Sequence, residues 1–260
     1  MLRHELIALV FFAHVAVAAV VRRRMPARRR AAAGIGAVVA AAAVVAIARA
    51  GSAPVRDWAP VAYILAAYYL AGRTFFEPMA GVESWLASVD RRIIGNPSTT
   101  FRRLPNGVRR LLDIAYIGCF LIVPAGLVLL IAAGHGDRSE YYWTLVMGAE
   151  LGAFGTLPYL QTRPPWVIER LDDGARRVSV SFMKHATTGA NTLPSGHAAG
   201  SLAVALAVLE TLPAAGTLLL AAAITISVAA VVTRAHFVVD VVTGAALAGA
   251  VWLLVRASGG

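Results

Sequence analysis

Charge is scarce in this sequence. Only 15% of its 260 residues are Asp, Glu, Lys or Arg, where a soluble domain usually carries about 25%. Acidic residues are scarcest: 14 against 24 Lys and Arg, a net charge of +10. A single cysteine, Cys119, excludes an intrachain disulfide and leaves the redox compartment unreadable. There is no internal repeat and no His-Glu-x-x-His cluster that would announce zinc chemistry.

Apolar residues take the place of charge, at 58% of the chain, and they come in blocks. The blocks cover residues 5–21, 31–48, 58–72, 114–133, 143–160, 198–216, 217–233 and 237–255. A spanning helix needs about 20 mainly apolar residues. The chain therefore reads as an all-α polytopic membrane bundle of seven or eight spans, with 58–72 and 143–160 the weakest. Residues 5–21 have a nearly uncharged leading segment and are followed by RRRMPARRR. That pattern predicts a retained, oriented helix in preference to a cleaved leader. The Arg residues lie in short loops between apolar blocks, so anionic lipid headgroups are the expected partner of the positive charge, not nucleic acid. The expected location is a plasma or inner membrane.

Residues 1–57 read as an accessory N-terminal hairpin, Ala- and Val-rich and without an obvious reactive group. Residues 58–260 read as the catalytic domain. Within it, 73–111 mixes Trp, Phe, Leu and Ile with Arg and is broken by Pro78, Pro97 and Pro105. One or two short interfacial helices suit it, and so does an ordinary basic loop. The polar stretch 161–196 is followed by a hairpin, 198–216 and 217–235, with its turn at Pro213 to Gly216. This brings His236 back to the face where His197 starts.

Three polar groups meet at that face: Arg163 in TRPPW, Pro194-Ser195-Gly196-His197, and Arg234, His236 and Asp240 in TRAHFVVD. His236 and Asp240 are four apart and share a helix face, so the carboxylate can fix one imidazole nitrogen and leave the other free to attack. Ionisable groups in or beside spans are functional candidates by default. The Pro-Ser-Gly entry to a helix offers unpartnered N–H groups and a hydroxyl to phosphate. His197, in the first turn, can protonate a leaving oxygen. Arg163 can grip phosphate in its planar fork. Lys184 and His185 are possible substrate contacts. The bland alternatives stay open: a structural hydrogen bond for the His–Asp pair, headgroup anchors for the Arg residues, a solvated loop for Lys184 and His185. Zinc held by His197, His236 and Asp240 is the competing catalytic reading, and a transporter or scaffold the non-catalytic one.

These residues resemble the type 2 phosphatidic acid phosphatase (PAP2) superfamily, whose signature is Lys-x6-Arg-Pro, Pro-Ser-Gly-His and Ser-Arg-x5-His-x3-Asp. Pro194–His197 match the middle motif completely; Arg163-Pro164 and His236-x3-Asp240 match the ends of the other two. Thr156 stands where the first motif has Lys, and Ala229-Ala230 where the third has Ser-Arg. The resemblance implies His236 as a nucleophile forming phosphohistidine, Asp240 as its orienting carboxylate and His197 as general acid. It implies Arg163, Ser195 and the Gly196 backbone as phosphate ligands, with Arg234 a local substitute for the missing Arg. It implies no metal or other cofactor, and a phosphorylated membrane lipid as substrate. A lipid phosphate phosphatase is the first expectation. His236, Phe237, Asp240 and Gly244 also resemble the branch containing inositol phosphorylceramide synthases, with a weaker echo in VDRRIIG at 89–95. That branch passes a phosphorylated group to an alcohol.

Orientation is contested. With 58–72, 143–160 and the final block all counted as spans, loops 22–30, 73–111 and 161–196 share the face of His236. The opposite face keeps only Arg3, Arg49, Arg56, Arg138 and Arg256. The positive-inside rule then predicts a cytoplasmic site. The resemblance implies the opposite face, which the count would also give if 58–72 did not cross.

Overall fold

The structure, a computed structural model, describes residues 1–169, 183, 185 and 187–258, the side chains of Ser98 and Arg102 excepted. Among them it is all-α. The helices are α1 (Arg3–Val21), α2 (Ala27–Ala50), α3 (Ala53–Arg73), α4 (Ala80–Ile94), α5 (Pro97–Arg102), α6 (Asn106–Ala132), α7 (Ser139–Phe154), the single turn α8 (Pro165–Ile168), α9 (Gly196–Leu209), α10 (Pro213–Val232) and α11 (Val238–Ala257). Each apolar block became a helix because an apolar backbone away from water must satisfy its own N–H and C=O groups.

Among the described residues five helices, α1, α2, α6, α10 and α11, are long and apolar enough to cross a membrane. Three sequence blocks form helices of another kind: the two weakest, and 198–216, whose α9 has 14 residues and ends at Leu209. α7 has 16 residues, and its buried set runs unbroken from Tyr141 to Met147. It is the central post, packed against α1, α3, α9 and α11, so it needs little lipid-facing surface. The block 143–160 ends as helix at Phe154. α3 has 21 residues and carries Arg56 and Asp57 near its start and Arg73 at its end. The turn between the two last-hairpin arms also differs from expectation. Pro213 opens α10 instead of sitting in the turn, since its fixed φ and missing N–H suit the first helical position.

α3 ties the two ends of the bundle to defined partners. At one end Ser139 donates to Asp57 Oδ1 (2.7 Å) and the Trp143 indole to the Asp57 carbonyl (2.6 Å). At the other, Gln161 donates to the Thr74 carbonyl (2.8 Å) and accepts from Phe76 and Glu77 N–H groups. The helix therefore runs from the end holding Ser139 to the end holding Gln161. The N-terminal pair is packed on this core. α1 buries Phe11, Phe12 and Val15, His14 meets the Gly155 carbonyl at 2.9 Å, and Arg22 donates to the Pro158 carbonyl. α2 faces outward, with Ile35, Val38 and Val39 exposed, as expected of a helix solvated by lipid.

The segment 73–111 contains two helices and the start of a third. α4 buries Glu83, Leu86 and Asp90. That spacing, i, i+3 and i+7, puts them on one face, while Trp85 and Ile93 stay exposed on others.

Candidate active site

The site forms where α9 and α11 start side by side. Pro194 follows a cis peptide and leads to Ser195, the residue before α9, whose hydroxyl accepts from Ala198 N–H at 3.4 Å. The Ser195 N–H donates to the Asp240 carbonyl (2.8 Å) and the Gly196 N–H to the Thr192 hydroxyl (3.2 Å). Glycine is required at two places by close approach. A Cβ on Gly196 would lie 2.5 Å from a Phe154 ring carbon, and one on Gly244 would lie 2.5 Å from the Ser195 carbonyl oxygen. Gly244 thus lets α11 press its backbone onto the Pro-Ser-Gly-His turn.

His236 occupies the turn between α10 and α11, its N–H donating to the Ala230 carbonyl (3.0 Å). Its Nδ1 lies 3.3 Å from Asp240 Oδ2 and its Nε2 lies 3.3 Å from His197 Nδ1. Asp240, fully buried in the first turn of α11, also accepts from the Phe237 N–H at 2.9 Å. A second hydrogen bond on the same oxygen fixes the carboxylate, and through it the imidazole. His197 stacks on Tyr116, with ring centroids 5.2 Å apart at 15°, and meets the Phe120 edge. The structure therefore brings His197, His236, Asp240, Ser195 and Gly196 together.

The two arginines are held differently from what the sequence suggests. Arg163 N–H, Nε and Nη2 all donate to Glu83, at 2.8, 3.0 and 2.7 Å, and its side chain keeps 41% exposure. Those bonds hold the Glu83 carboxyl below its ordinary pKa, and Glu83 raises that of Arg163. Arg234 is 1% exposed. Its Nη1 donates to Asp90 (2.7 Å), and its Nε and Nη2 donate to Glu169 (2.7 Å at closest). Asp90 also accepts from Val238 N–H (2.9 Å) at the start of α11. The Arg234 backbone is left-handed, φ +62°, a conformation that costs a non-glycine residue about 1–2 kcal/mol.

Glu83, Asp90, Glu169 and Thr192 are the positioning groups that sequence spacing missed. Asp90 lies in the VDRRIIG echo, which was its only signal. His185 is exposed and stands in a helical conformation ahead of the site. Lys184 lies outside the described residues. Of the positions that depart from the resemblance, Thr156 bonds the Ala153 carbonyl in the turn after α7. Ala229 and Ala230 are buried in a cluster with Phe101, Tyr116 and Met183. Among the described residues no group of three His, Cys, Asp or Glu side chains is arranged to hold a metal ion.

No curated protein and no solved structure matches the chain. Residues 84–254 match the PAP2 superfamily. The match begins inside α4 and ends near the end of α11, so it takes in both His residues, Asp240 and Asp90. With more than half of its length matched, this multi-spanning helical bundle belongs to the PAP2 superfamily.

Proposed function

We propose that the protein transfers a phosphoryl group from a membrane lipid phosphate through a phosphohistidine at His236. The observation that carries this reading is the continuous chain Asp240–His236–His197, each contact 3.3 Å. Asp240 holds the Nδ1 proton, so the Nε2 lone pair is the free nucleophile. That nitrogen attacks phosphorus, the bond from phosphorus to the lipid oxygen breaks, and the oxygen leaves with the electron pair and a proton from His197. Water then attacks phosphorus, gives its proton to His197, and the nitrogen–phosphorus bond breaks to restore His236. Substrate phosphate has to take the place of the direct His197–His236 contact, which puts both nitrogens beside the reacting atoms.

Arg163 is the proposed phosphate ligand, since its guanidinium is partly exposed; the Ser195 hydroxyl and the Gly196 N–H, which without phosphate meet Ala198 and Thr192, are proposed to bind phosphate with it. Arg234 is proposed to act at one remove, holding the start of α11. A phosphatase is the first reading. The second is transfer to a lipid or polyol alcohol, favoured by the His236-Phe237-x-x-Asp240-x-x-x-Gly244 pattern and by the alanines where a phosphatase motif has Ser-Arg.

The test is turnover of a lipid phosphate by purified protein, with and without an alcohol acceptor. We expect His236→Asn to abolish turnover and His197→Asn to lower it most for poor leaving groups. Phosphate release without acceptor supports the phosphatase; product that forms only with acceptor supports the transferase. Wild-type rates in His236→Asn would remove the phosphohistidine.

A further inference from the structure

Among the described residues, the buried carboxyl groups are paired, with one exception. Glu5 meets Arg56, Glu83 meets Arg163, Asp90 meets Arg234 and Asp240 meets His236. Glu150, in the last third of α7 and 8% exposed, has no hydrogen bond or ion pair among the described residues. Leaving a carboxyl unsatisfied in an apolar interior is unfavourable, and an ionisable group kept inside a membrane bundle is a functional candidate by default.

Glu150 faces a pocket of about 100 Å³ that it shares with Tyr68, Phe154 and His197. Leu65 of α3 and Phe120 of α6 line the same pocket, and they are 47% and 40% exposed. α3 packs against α7, as α6 does against α9 and α10, while α3 and α6 make at most marginal contact. The pocket therefore lies between two helices that stand apart and has its apolar lining continued on the lipid-facing surface. Its distance from the reaction centre follows from α9. A Cβ on Gly200 would fall 2.0 Å from Glu150 Oε1, so the carboxyl rests on α9 three residues beyond His197, about 5 Å along the axis.

We propose that this pocket takes the lipid part of the substrate and that Glu150 binds a hydroxyl or amide N–H carried close to the phosphoester oxygen. The substrate class is then a phosphorylated lipid with a hydrogen-bond donor next to its phosphate, not a simple alkyl phosphate. The inference rests on the placement of phosphate at His197 and His236. Phe120 and Leu65 accommodate the chain, and Glu150 favours the donor, because a lipid bearing one gives the carboxyl oxygen the hydrogen bond it lacks.

Non-hydrolysable probes separate this inference from the chemistry. Hexadecylphosphonate and 2-hydroxyhexadecylphosphonate are titrated into the purified full-length protein in detergent. Wild type is expected to bind the hydroxylated probe about tenfold more tightly, the effect of one hydrogen bond. Glu150→Leu should bind both at the level of the plain probe, and Glu150→Gln, which keeps an acceptor oxygen, should retain the preference. Equal binding of the two probes by wild type, or no binding of either, overturns the proposal. So does an undiminished preference in Glu150→Leu. Should Glu150→Leu fail to fold, the wild-type comparison and Glu150→Gln still decide. A binding preference in a protein that turns over no lipid phosphate would remove the phosphoryl-transfer reading and leave the pocket standing.

Discussion

Arg234 shows how far a residue's role depends on neighbours that spacing cannot reveal. Two residues before the nucleophile, in a chain that lacks the motif arginine, it reads as a phosphate ligand. Its guanidinium is instead surrounded by Asp90 and Glu169, and its left-handed backbone turns the chain from α10 into His236. Removing one partner of a buried pair leaves the other charge uncompensated, a loss of about 3–5 kcal/mol. We expect Arg234→Met to lower unfolding stability in detergent by that order, and Asp90→Asn to do likewise. The double variant should lose less than the sum of the two, because both report the same pair. A set of melts in which Arg234→Met is as stable as wild type, with only phosphate affinity reduced, would restore the phosphate-ligand role. His236 and Asp240 were legible for the opposite reason. Their partnership is local, four residues apart, but it is made across the entry to α11 and not along one helix face, since His236 lies in the turn before Val238 and Asp240 in the first turn.

At the scale of elements, α4 links the two arginines to the site. Glu83 and Asp90 lie on one face two turns apart, and each takes one arginine from a different loop. Nothing in the composition of 73–111 distinguished such a latch from an interfacial helix or a basic loop, because the pairing partners are about 80 and 144 residues away. Gly244 was visible as part of a pattern, but its reason, backbone contact with Ser195, is a packing fact. Glu150 carried the fainter signal of a lone acid inside an apolar block. The latch makes a pH prediction. Arg163 holds the Glu83 carboxyl below its ordinary value. A depressed carboxyl contributes stability that is fully present above its unfolded pKa, about 4.3, and is lost as pH falls through the folded value. Melting between pH 6 and 3 should show wild type losing stability below about pH 4.3, with Glu83→Gln less stable at pH 6 and less sensitive to acid. Parallel curves for the two proteins would mean that the latch contributes nothing.

For the whole molecule, the open question in the sequence was which loops share the end that holds the site. The structure joins them. Arg22 reaches Pro158, Arg29 reaches the Phe75 carbonyl, the Met79 N–H meets Gln161 and the Trp166 N–H meets Arg234. Loop 22–30, the start of 73–111 and the site therefore lie at one end, and α3 runs the length of the bundle away from it. A non-crossing 58–72 block no longer reconciles the charge count with an extracytoplasmic site. Most of the Lys and Arg residues sit at the site's end, while Arg138 and Arg256 at the opposite end share Glu210. The positive-inside rule places the richer end in the cytoplasm, and we expect the site there. Headgroup attraction explains basic residues next to the site, but Arg28, Arg29 and Arg30 open α2 of the N-terminal pair, and Arg29 bonds the Phe75 carbonyl and Arg30 the Arg23 carbonyl. Single cysteines at exposed Thr99, on the site's end, and exposed Asp137, on the other, in a Cys119→Ala background, report the orientation. An impermeant thiol reagent applied to intact cells should label Asp137→Cys, and should label Thr99→Cys only after permeabilisation. The reverse pattern would put the site outside the cytoplasm and make RRRMPARRR an exception to the charge rule.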